Sequence, residues 1–176
     1  TRRCTPYGAR MANLLGRELT AAGFVTVSGL ARGVDTSAHR GALEAGGRTI
    51  AVIGSGFGHM YPKENAKLAD LIAESGAVVS QFPFDVTPEP HNFPKRNVTI
   101  AALSLGVVVV EGDVKSGAMI TAREAMEMGR DIFAVPGRAG GPGTEGPHRL
   151  IGDGARLVTC AADIVSEFGD VGKLLE

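Results

Sequence analysis

The sequence predicts an α/β domain of the doubly wound, mostly parallel type. Short β-branched runs alternate along the chain with segments whose apolar residues repeat at helical spacing. The runs are apolar throughout rather than at every second residue, which indicates a parallel sheet covered by helices on both faces. We therefore expect an extended Rossmann-like sheet.

Six strands are predicted, each a short run rich in valine, isoleucine or other apolar residues. They lie at residues 24–27, 49–53, 77–80, 106–111, 131–135 and 156–159. Between the strands, apolar side chains recur every three or four residues, as expected of helices that pack on a sheet. The clearest repeats are Met11, Leu14, Leu15 and Leu19, then Leu68, Leu71 and Ile72, and then Ile120, Ala125 and Met128.

Residues that begin or end helices support these boundaries. Asp35 precedes residues 36–38 and is predicted to cap the N-terminus of a helix. A further apolar helix is predicted at residues 98–105, after a proline-rich loop. Because glycine readily adopts the conformation that ends a helix, helices are expected to stop at Gly23, Gly46, Gly47, Gly76 and Gly129.

The first eight residues read as a loop followed by a helix, whereas a wound sheet of this kind ordinarily begins with a strand that leads into such a loop. We therefore expect that a first strand precedes Thr1. Residues 1–169 are predicted to form one domain, and residues 170–176 the start of a C-terminal linker.

Composition narrows the class of protein. The longest apolar runs, such as residues 105–110, are far shorter than the roughly 20 residues that cross a bilayer, so we expect no membrane partner. The two cysteines form no CxxC and no cluster with histidine, so neither a metal nor another cofactor is expected. The low cysteine content also fits a reducing compartment, and we expect a cytoplasmic location. The net charge of −1 is unfavourable for nucleic acid, but residues 1–63 carry 8 Lys and Arg against 3 Asp and Glu.

The segment from Ser28 to Asp35 has the features of an anion site. It leaves a strand, passes through Gly29 and Gly33, and enters a helix whose N-terminal amides carry partial positive charge. Arg32 adds a planar fork of donors that suits phosphate. In the alternative, the glycines only permit a tight turn, and Arg32 pairs with an acidic neighbour such as Asp35.

A second glycine-rich segment, Gly54, Ser55 and Gly56, follows the next predicted strand. It is neither a Walker loop nor a dinucleotide fingerprint. Its amides could contact phosphate, with Lys63 as a second positive charge. Phe57 or Tyr61 could stack on a base. In the alternative, these aromatic rings only close the edge of the sheet.

Two further segments add cations. Phe93, Lys95, Arg96 and Asn97 precede the predicted helix 98–105 and form a plausible strand-binding element, although Asn97 could instead cap that helix while the cations stay solvated. Lys115, Ser116 and Gly117 lie between a strand and a helix, where backbone amides offer donors to an anion.

All four segments are predicted to follow strands and so to meet at the carboxyl edge of a parallel sheet, where wound α/β folds bind ligands.

The sequence contains few residue patterns that are typical of catalysis. None of the four histidines lies in a recognised catalytic motif, and no GxSxG elbow is present. We therefore predict a binding protein rather than an enzyme, with no catalytic residue.

The order and spacing of these motifs resemble the DNA-processing protein A (DprA/Smf) family. The matching segments are SGLARGVDTSAHRGAL from Ser28, TIAVIGSG from Thr49, YPKEN from Tyr61, FPKRN from Phe93, KSGAMITA from Lys115, GRDIFAVPG from Gly129 and LIGDGA from Leu150. The resemblance spans nearly the whole chain.

The resemblance implies a Rossmann-type core that binds single-stranded DNA through a basic pocket, forms homodimers and loads the RecA recombinase during natural transformation. In the family, the arginine of SGLARG and a cation near YPxxN contact DNA, which points to Arg32 and Lys63. By physical argument we extend the predicted DNA site to Gly54, Ser55, Gly56, Phe93, Lys95, Arg96, Asn97, Lys115, Ser116 and Gly117.

The alternative prediction is a nucleoside-monophosphate phosphoribohydrolase of the LOG type, whose motif is PGGxGTxxE. Thr121 and Glu124 supply the TxxE half of that motif. However, Lys115, Ser116 and Gly117 stand in place of its glycine pair, and Met119 and Ile120 stand where close backbone approach to phosphate needs a glycine.

Overall fold

The computed structural model describes residues 4–169, and the predicted linker at 170–176 lies outside them. Strands and helices alternate along the described chain. The strands are β1 (Thr26–Ser28), β2 (Thr49–Ile53), β3 (Ala77–Ser80), β4 (Gly106–Val109), β5 (Asp131–Ala134) and β6 (Arg156–Leu157). The helices are α1 (Pro6–Ala21), α2 (Val34–Glu44), α3 (Ala66–Ser75), α4 (Asn92–Ala102), α5 (Gly117–Glu127), α6 (Glu145–Gly152) and α7 (Ala162–Phe168).

The strands form two parallel sheets of three, in the orders β1-β2-β3 and β4-β5-β6. Thr26 pairs with Thr49 in the first sheet, and Gly106 pairs with Asp131 in the second. The predicted α/β class and parallel sheet are confirmed. Two strands have the predicted bounds, three end one or two residues earlier than predicted, and β1 is shifted at both ends.

Two predicted helix starts are wrong. Helix α2 begins at Val34 with Gly33 as its N-cap, so Asp35 lies inside the first turn. Its carboxylate instead accepts hydrogen bonds from the amides of Gly29 and Ala31 in the preceding loop. Helix α4 begins at Asn92, so Lys95, Arg96 and Asn97 lie within its first two turns rather than on a loop before it.

Predicted helix ends at glycine agree better with the structure. Gly23, Gly46 and Gly129 follow helices with φ of 88°, 71° and 68°, in the left-handed region that glycine tolerates. Gly76 caps the end of α3, and its amide donates a hydrogen bond to the carbonyl of Ile72.

Helices cover both faces of the second sheet. Val108 of β4 packs with Leu15 of α1, whereas Val107 packs with Ala122 of α5. Because successive residues of a strand point to opposite faces, α1 and α5 lie on opposite faces of the second sheet. No helix within the described residues is both long and apolar enough to cross a membrane.

Candidate functional site

The loops that follow β1, β2 and β4 lie at the carboxyl ends of parallel strands. The start of α4 joins them through contacts with Gly29, Gly54 and Gly117. The carboxyl edge of the two sheets therefore carries one group of contacting residues, and all four motif segments contribute to it.

Arg32 lies on the outer surface of this edge, with 45% of its side chain exposed. Its guanidinium pairs with the carboxylate of Glu64 and lies 5.7 Å from the ring centre of Tyr61. The hydrogen bond from Arg32 lowers the pKa of Glu64, and the same bond raises the pKa of Arg32. The acidic neighbour of Arg32 is thus Glu64 rather than Asp35.

The loop that presents Arg32 is held in an unusual shape. Leu30 is fully buried and has a φ of 57°, in a region where side chains other than glycine are strained. Asn65 donates hydrogen bonds to the carbonyl of Leu30 at 2.8 Å and to the hydroxyl of Thr36 at 2.9 Å. Together with the Asp35 carboxylate, this buried amide holds the backbone of the loop that carries Arg32.

Aromatic rings extend the surface from Arg32 toward α4. The rings of Tyr61 and Phe93 lie 5.9 Å apart at 55°, and Phe93 in turn lies 5.9 Å from the guanidinium carbon of Arg96. A side chain on Gly54 would meet the ring of Phe93 at 2.8 Å. The absence of a side chain at Gly54 therefore allows the ring of Phe93 to pack against the end of β2.

Arg96 lies behind this surface and is only 6% exposed. Its Nη1 donates to the carbonyls of Gly29 and Val52, both at 2.6 Å, and its Nε donates to Oδ1 of Asn97 at 3.1 Å. Gly29 is itself required there, since a Cβ would lie 2.6 Å from the guanidinium. Arg96 thus links the Arg32 loop to β2.

Asn97 continues the connection toward α5. Its side-chain amide donates to the carbonyl of Gly117 at 3.2 Å, so it does not cap α4 as the alternative interpretation held. The hydroxyl of Ser116 is buried and has no hydrogen-bond partner within the described residues. Lys115, immediately before it, is exposed.

The glycine-rich segment after β2 is buried by the protein itself. Ser55 is fully buried and donates to the carbonyl of His59 at 2.7 Å. The amide of Gly56 donates to the carbonyl of Val86 at 2.8 Å, and a Cβ on Gly56 would lie 2.0 Å from the carbonyl of Pro83. This segment supports the loop at residues 82–86, and it leaves Phe57 exposed at the rim.

Three predicted lysines face solvent. Lys63, Lys95 and Lys115 are exposed, and none forms an ion pair with any residue in 4–169. The predicted site residues thus divide into two groups. Residues that can reach a ligand are Arg32, Phe93, Gly117 and the three lysines, whereas Gly54, Ser55, Gly56, Arg96, Asn97 and the hydroxyl of Ser116 are buried.

Prediction from the sequence missed three residues that shape the site. Asp35 was assigned to a helix cap, Asn65 was passed over inside YPKEN, and Glu64 was not recognised as the partner of Arg32. For Asn65, the available signal was a polar residue just before an apolar helix, where a buried amide often bonds to backbone.

Comparison with known proteins gives a consistent result. A family model described as DNA recombination-mediator protein A matches residues 1–169. Protein Smf of Escherichia coli K12 is 48% identical over 166 residues, which cover 93% of this chain and 44% of that protein. DNA processing protein DprA of Bacillus subtilis 168 is 46% identical over 167 residues, which cover 95% of this chain and 56% of that protein. The chain thus spans about half the length of these relatives.

Solved structures agree with these sequence matches. DNA processing protein A of Streptococcus pneumoniae superposes with a TM-score of 0.89 at 43% identity, covering 95% of this chain and 59% of that one. DNA processing protein A of Helicobacter pylori has been studied for its single-stranded DNA binding mode. It superposes with a TM-score of 0.86 at 33% identity, and the match covers 96% of this chain and 76% of that one. A molybdenum cofactor binding protein of Rippkaea orientalis is only 17% identical and superposes with a TM-score of 0.66, so it shares the fold alone.

Proposed function

The chain belongs to the DprA/Smf family of DNA recombination-mediator proteins, and on that premise we propose that it binds single-stranded DNA along the carboxyl edge of its sheet. A relative in the family, from Helicobacter pylori, has been studied for its single-stranded DNA binding mode. The residues at the carboxyl edge supply the chemistry that such a ligand needs.

The observation that carries this proposal is the row formed by Arg32, Tyr61 and Phe93. A cation lies beside an aromatic ring at 5.7 Å, and that ring lies beside a second one at 5.9 Å. Single-stranded DNA alternates a charged phosphate with a flat base, so cations next to rings match both parts of each nucleotide.

The other exposed cations extend the charge on either side of this row. Lys63 follows Tyr61 on the same segment, Lys95 follows Phe93 on α4, and Lys115 precedes α5. In our proposal Arg32, Lys63, Lys95 and Lys115 bind phosphates, while Phe93, with Tyr61 or Phe57, stacks on bases.

The buried residues have a supporting part in the proposal. Arg96 and Asn97 connect the Arg32 loop to β2 and α5, and Gly54 and Gly56 allow Phe93 and residues 83–84 to pack closely. The backbone amides at the start of α5, around Gly117, would offer donors to a phosphate, whereas the hydroxyl of Ser116 is buried. Sequence preference should be weak, because no base edge needs to be read.

Partners and location follow from the family and are likewise proposals. A protein that holds single-stranded DNA and mediates recombination would deliver that strand to the RecA recombinase in the cytoplasm during natural transformation. We also propose a homodimer, in which exposed apolar residues would become buried.

We propose that the chain acts by binding rather than by catalysis. The relatives are described as DNA processing and recombination-mediator proteins. The LOG-type alternative is tested by incubating the chain with AMP. Release of ribose 5-phosphate that disappears in Glu124→Ala would establish catalysis and contradict our proposal.

The experiment that tests DNA binding is a titration with a labelled oligonucleotide, single-stranded against double-stranded. We expect tighter binding of the single strand, and at least about a tenfold loss of affinity in the double variant Arg32→Ala and Lys63→Ala at moderate salt.

The matched control removes two cations from the opposite edge of the sheet. Arg17 and Arg40 are exposed in the second halves of α1 and α2, which run away from the carboxyl edge. The variant Arg17→Ala and Arg40→Ala should bind as the parent does. Equal affinities of the two double variants for single-stranded DNA would contradict the proposed site.

A further inference from the structure

The loop after β3 carries the most exposed large apolar side chain of residues 4–169. Phe84 in this loop is 64% exposed, and Phe57 in the neighbouring loop after β2 is 46% exposed. A ring that stays open to water gains little from burial when the chain folds. The exposure of Phe84 therefore does not serve the packing of the core.

The backbone that presents Phe84 is held by hydrogen bonds to the loop after β2. The carbonyl of Phe84 accepts from the amide of Gly58 at 2.9 Å. Ser80, at the end of β3, donates to the carbonyl of Ser55 at 2.7 Å and accepts from the amide of Phe82 at 3.0 Å. Phe84 thus lies on a loop whose shape is fixed by its neighbour.

Gly58 also determines the place of the Phe84 ring. A Cβ on Gly58 would lie 2.9 Å from Cε1 of that ring, so a side chain there would displace it. Phe57, directly before Gly58, adds a second exposed ring to this part of the surface. A ring whose position is set in advance loses little conformational freedom when a flat ligand stacks on it.

The surroundings of Phe84 favour a nucleic acid base over a protein surface. Gln81, Asp85 and His59 are exposed polar neighbours in the two loops, so the apolar area is limited to the rings themselves. A protein interface needs a broader apolar core, whereas a single base needs only one aromatic face. Because the carboxylate of Asp85 repels phosphate, binding at this ring would depend on stacking rather than on charge.

The position of the loop after β3 continues the edge that carries Arg32 and Phe93. Ser80 at the end of β3 pairs with Ile53 at the end of β2, so the two following loops lie at the same carboxyl edge. The order β1-β2-β3 places the Arg32 loop on one side of the β2 loop and the Phe84 loop on the other. A strand that crosses from the Arg32 loop past β2 therefore reaches Phe84.

We propose that Phe84, together with Phe57, forms an additional base-stacking subsite at the β3 end of the carboxyl edge. It takes a base of single-stranded DNA that lies beyond the nucleotides bound by Arg32 and Phe93. The inference rests on the proposed function, since it concerns the same ligand, and it assigns the direction in which the strand leaves the site.

The experiment measures affinity against strand length with labelled thymidine oligomers of about 4 to about 16 nucleotides. Phe84→Ala should bind the shortest strands that the parent chain binds with equal affinity, and the longest at least about fivefold more weakly. The slope of log K against log salt should not change, because no phosphate contact is lost. Phe84→Trp, which keeps an aromatic face, should bind at every length at least as tightly as the parent chain.

A second measurement places 2-aminopurine at successive positions of the longest strand. Its fluorescence is quenched on stacking, and quenching at one terminal position should disappear in Phe84→Ala. The matched control is Leu71→Ala on α3, which removes a side chain that is 52% exposed and should leave both measurements unchanged. Urea unfolding should be the same for the parent chain and for both alanine variants, since the two side chains are exposed.

Equal affinities of Phe84→Ala and the parent chain at every length would overturn the subsite. An equal loss at every length would also overturn it, because Phe84 would then belong to the part of the site around Arg32 and Phe93. These outcomes leave the proposed function intact, since the parent chain still binds. If the parent chain binds no single-stranded DNA of any length, the proposed function itself fails and the subsite with it.

Discussion

The guanidinium of Arg96 donates to the carbonyl oxygen of Gly29 at 2.6 Å, across the gap between the start of α4 and the end of β1. The same nitrogen lies 2.6 Å from the carbonyl oxygen of Val52 in β2. One buried cation therefore joins two neighbouring strands just beneath the exposed Arg32. Its neighbour Lys95 points to solvent from the same helix turn.

Arg96→Ala should lower the free energy of unfolding by about 3 kcal/mol, because two buried carbonyls lose their donor at once. Lys95→Ala should change it by less than about 0.5 kcal/mol, since its side chain is exposed and forms no ion pair within residues 4–169. Urea unfolding followed by circular dichroism measures both variants.

Arg96→Lys is the sharper control for this first prediction. Lysine keeps the positive charge but lacks the planar fork that reaches two carbonyls and Asn97 together. We expect it to restore only a minor part of the lost stability. Full restoration would show that charge alone, rather than the geometry of the guanidinium, holds the strands.

Stability should fall when the solution is made moderately acidic because of His39. Burial lowers the pKa of this histidine to about 4, although the carboxylate of Asp35 nearby acts in the opposite direction. Its Nδ1 lies 2.7 Å from the hydroxyl of Thr49, which itself donates to the carbonyl of Thr26. The histidine is therefore neutral in the folded chain and a donor at Nδ1.

The folded-state pKa lies below that of the unfolded chain, so acid protonates the unfolded state first. The contribution is fully present above about pH 6.5 and is lost as the pH falls toward 4, by up to about 3 kcal/mol. In His39→Asn, which keeps a donor near the Nδ1 position, this pH dependence should flatten between pH 4 and 6.5. An unchanged slope in urea unfolding would contradict the assignment.

The sequence predicted the parallel α/β sheet and the edge at which the motifs meet, because apolar runs and glycine positions follow from local rules. It predicted the start of α4 wrongly. Pro94 was taken to belong to a loop, yet proline is tolerated in the first turn of a helix, where its missing amide would be unpaired in any case.

Which cations are exposed could not be predicted from the sequence. Lys95 and Arg96 are adjacent in the chain, and one faces solvent while the other is buried, which only the packing of α4 on β2 decides. The partner of Arg32 was missed for a similar reason. Glu64 lies 32 residues away, and the fold alone brings the two together.

In the proposed DNA complex, Glu64 would compete with phosphate for Arg32. Because both side chains are exposed, the pair is weak and a phosphate can replace the carboxylate. Glu64→Gln should raise the affinity for single-stranded DNA about two- to fivefold, whereas Arg32→Ala should lower it. Fluorescence anisotropy at several salt concentrations measures both variants. Tighter binding by Glu64→Gln in the Arg32→Ala background as well would show that Glu64 acts as a general repulsive charge instead.

Phe93→Leu should separate stacking on bases from attraction to phosphate. Leucine keeps the packing on Gly54, so the free energy of unfolding should change by less than about 1.5 kcal/mol, but the flat aromatic face is lost. Affinity for single-stranded DNA should fall about tenfold with no change in the slope of log K against log salt, whereas Lys95→Ala should reduce that slope by about 0.7. On an abasic strand, the Phe93→Leu variant should bind as the parent chain does. A loss of affinity there as large as on normal DNA would mean that Phe93 only positions the backbone of α4.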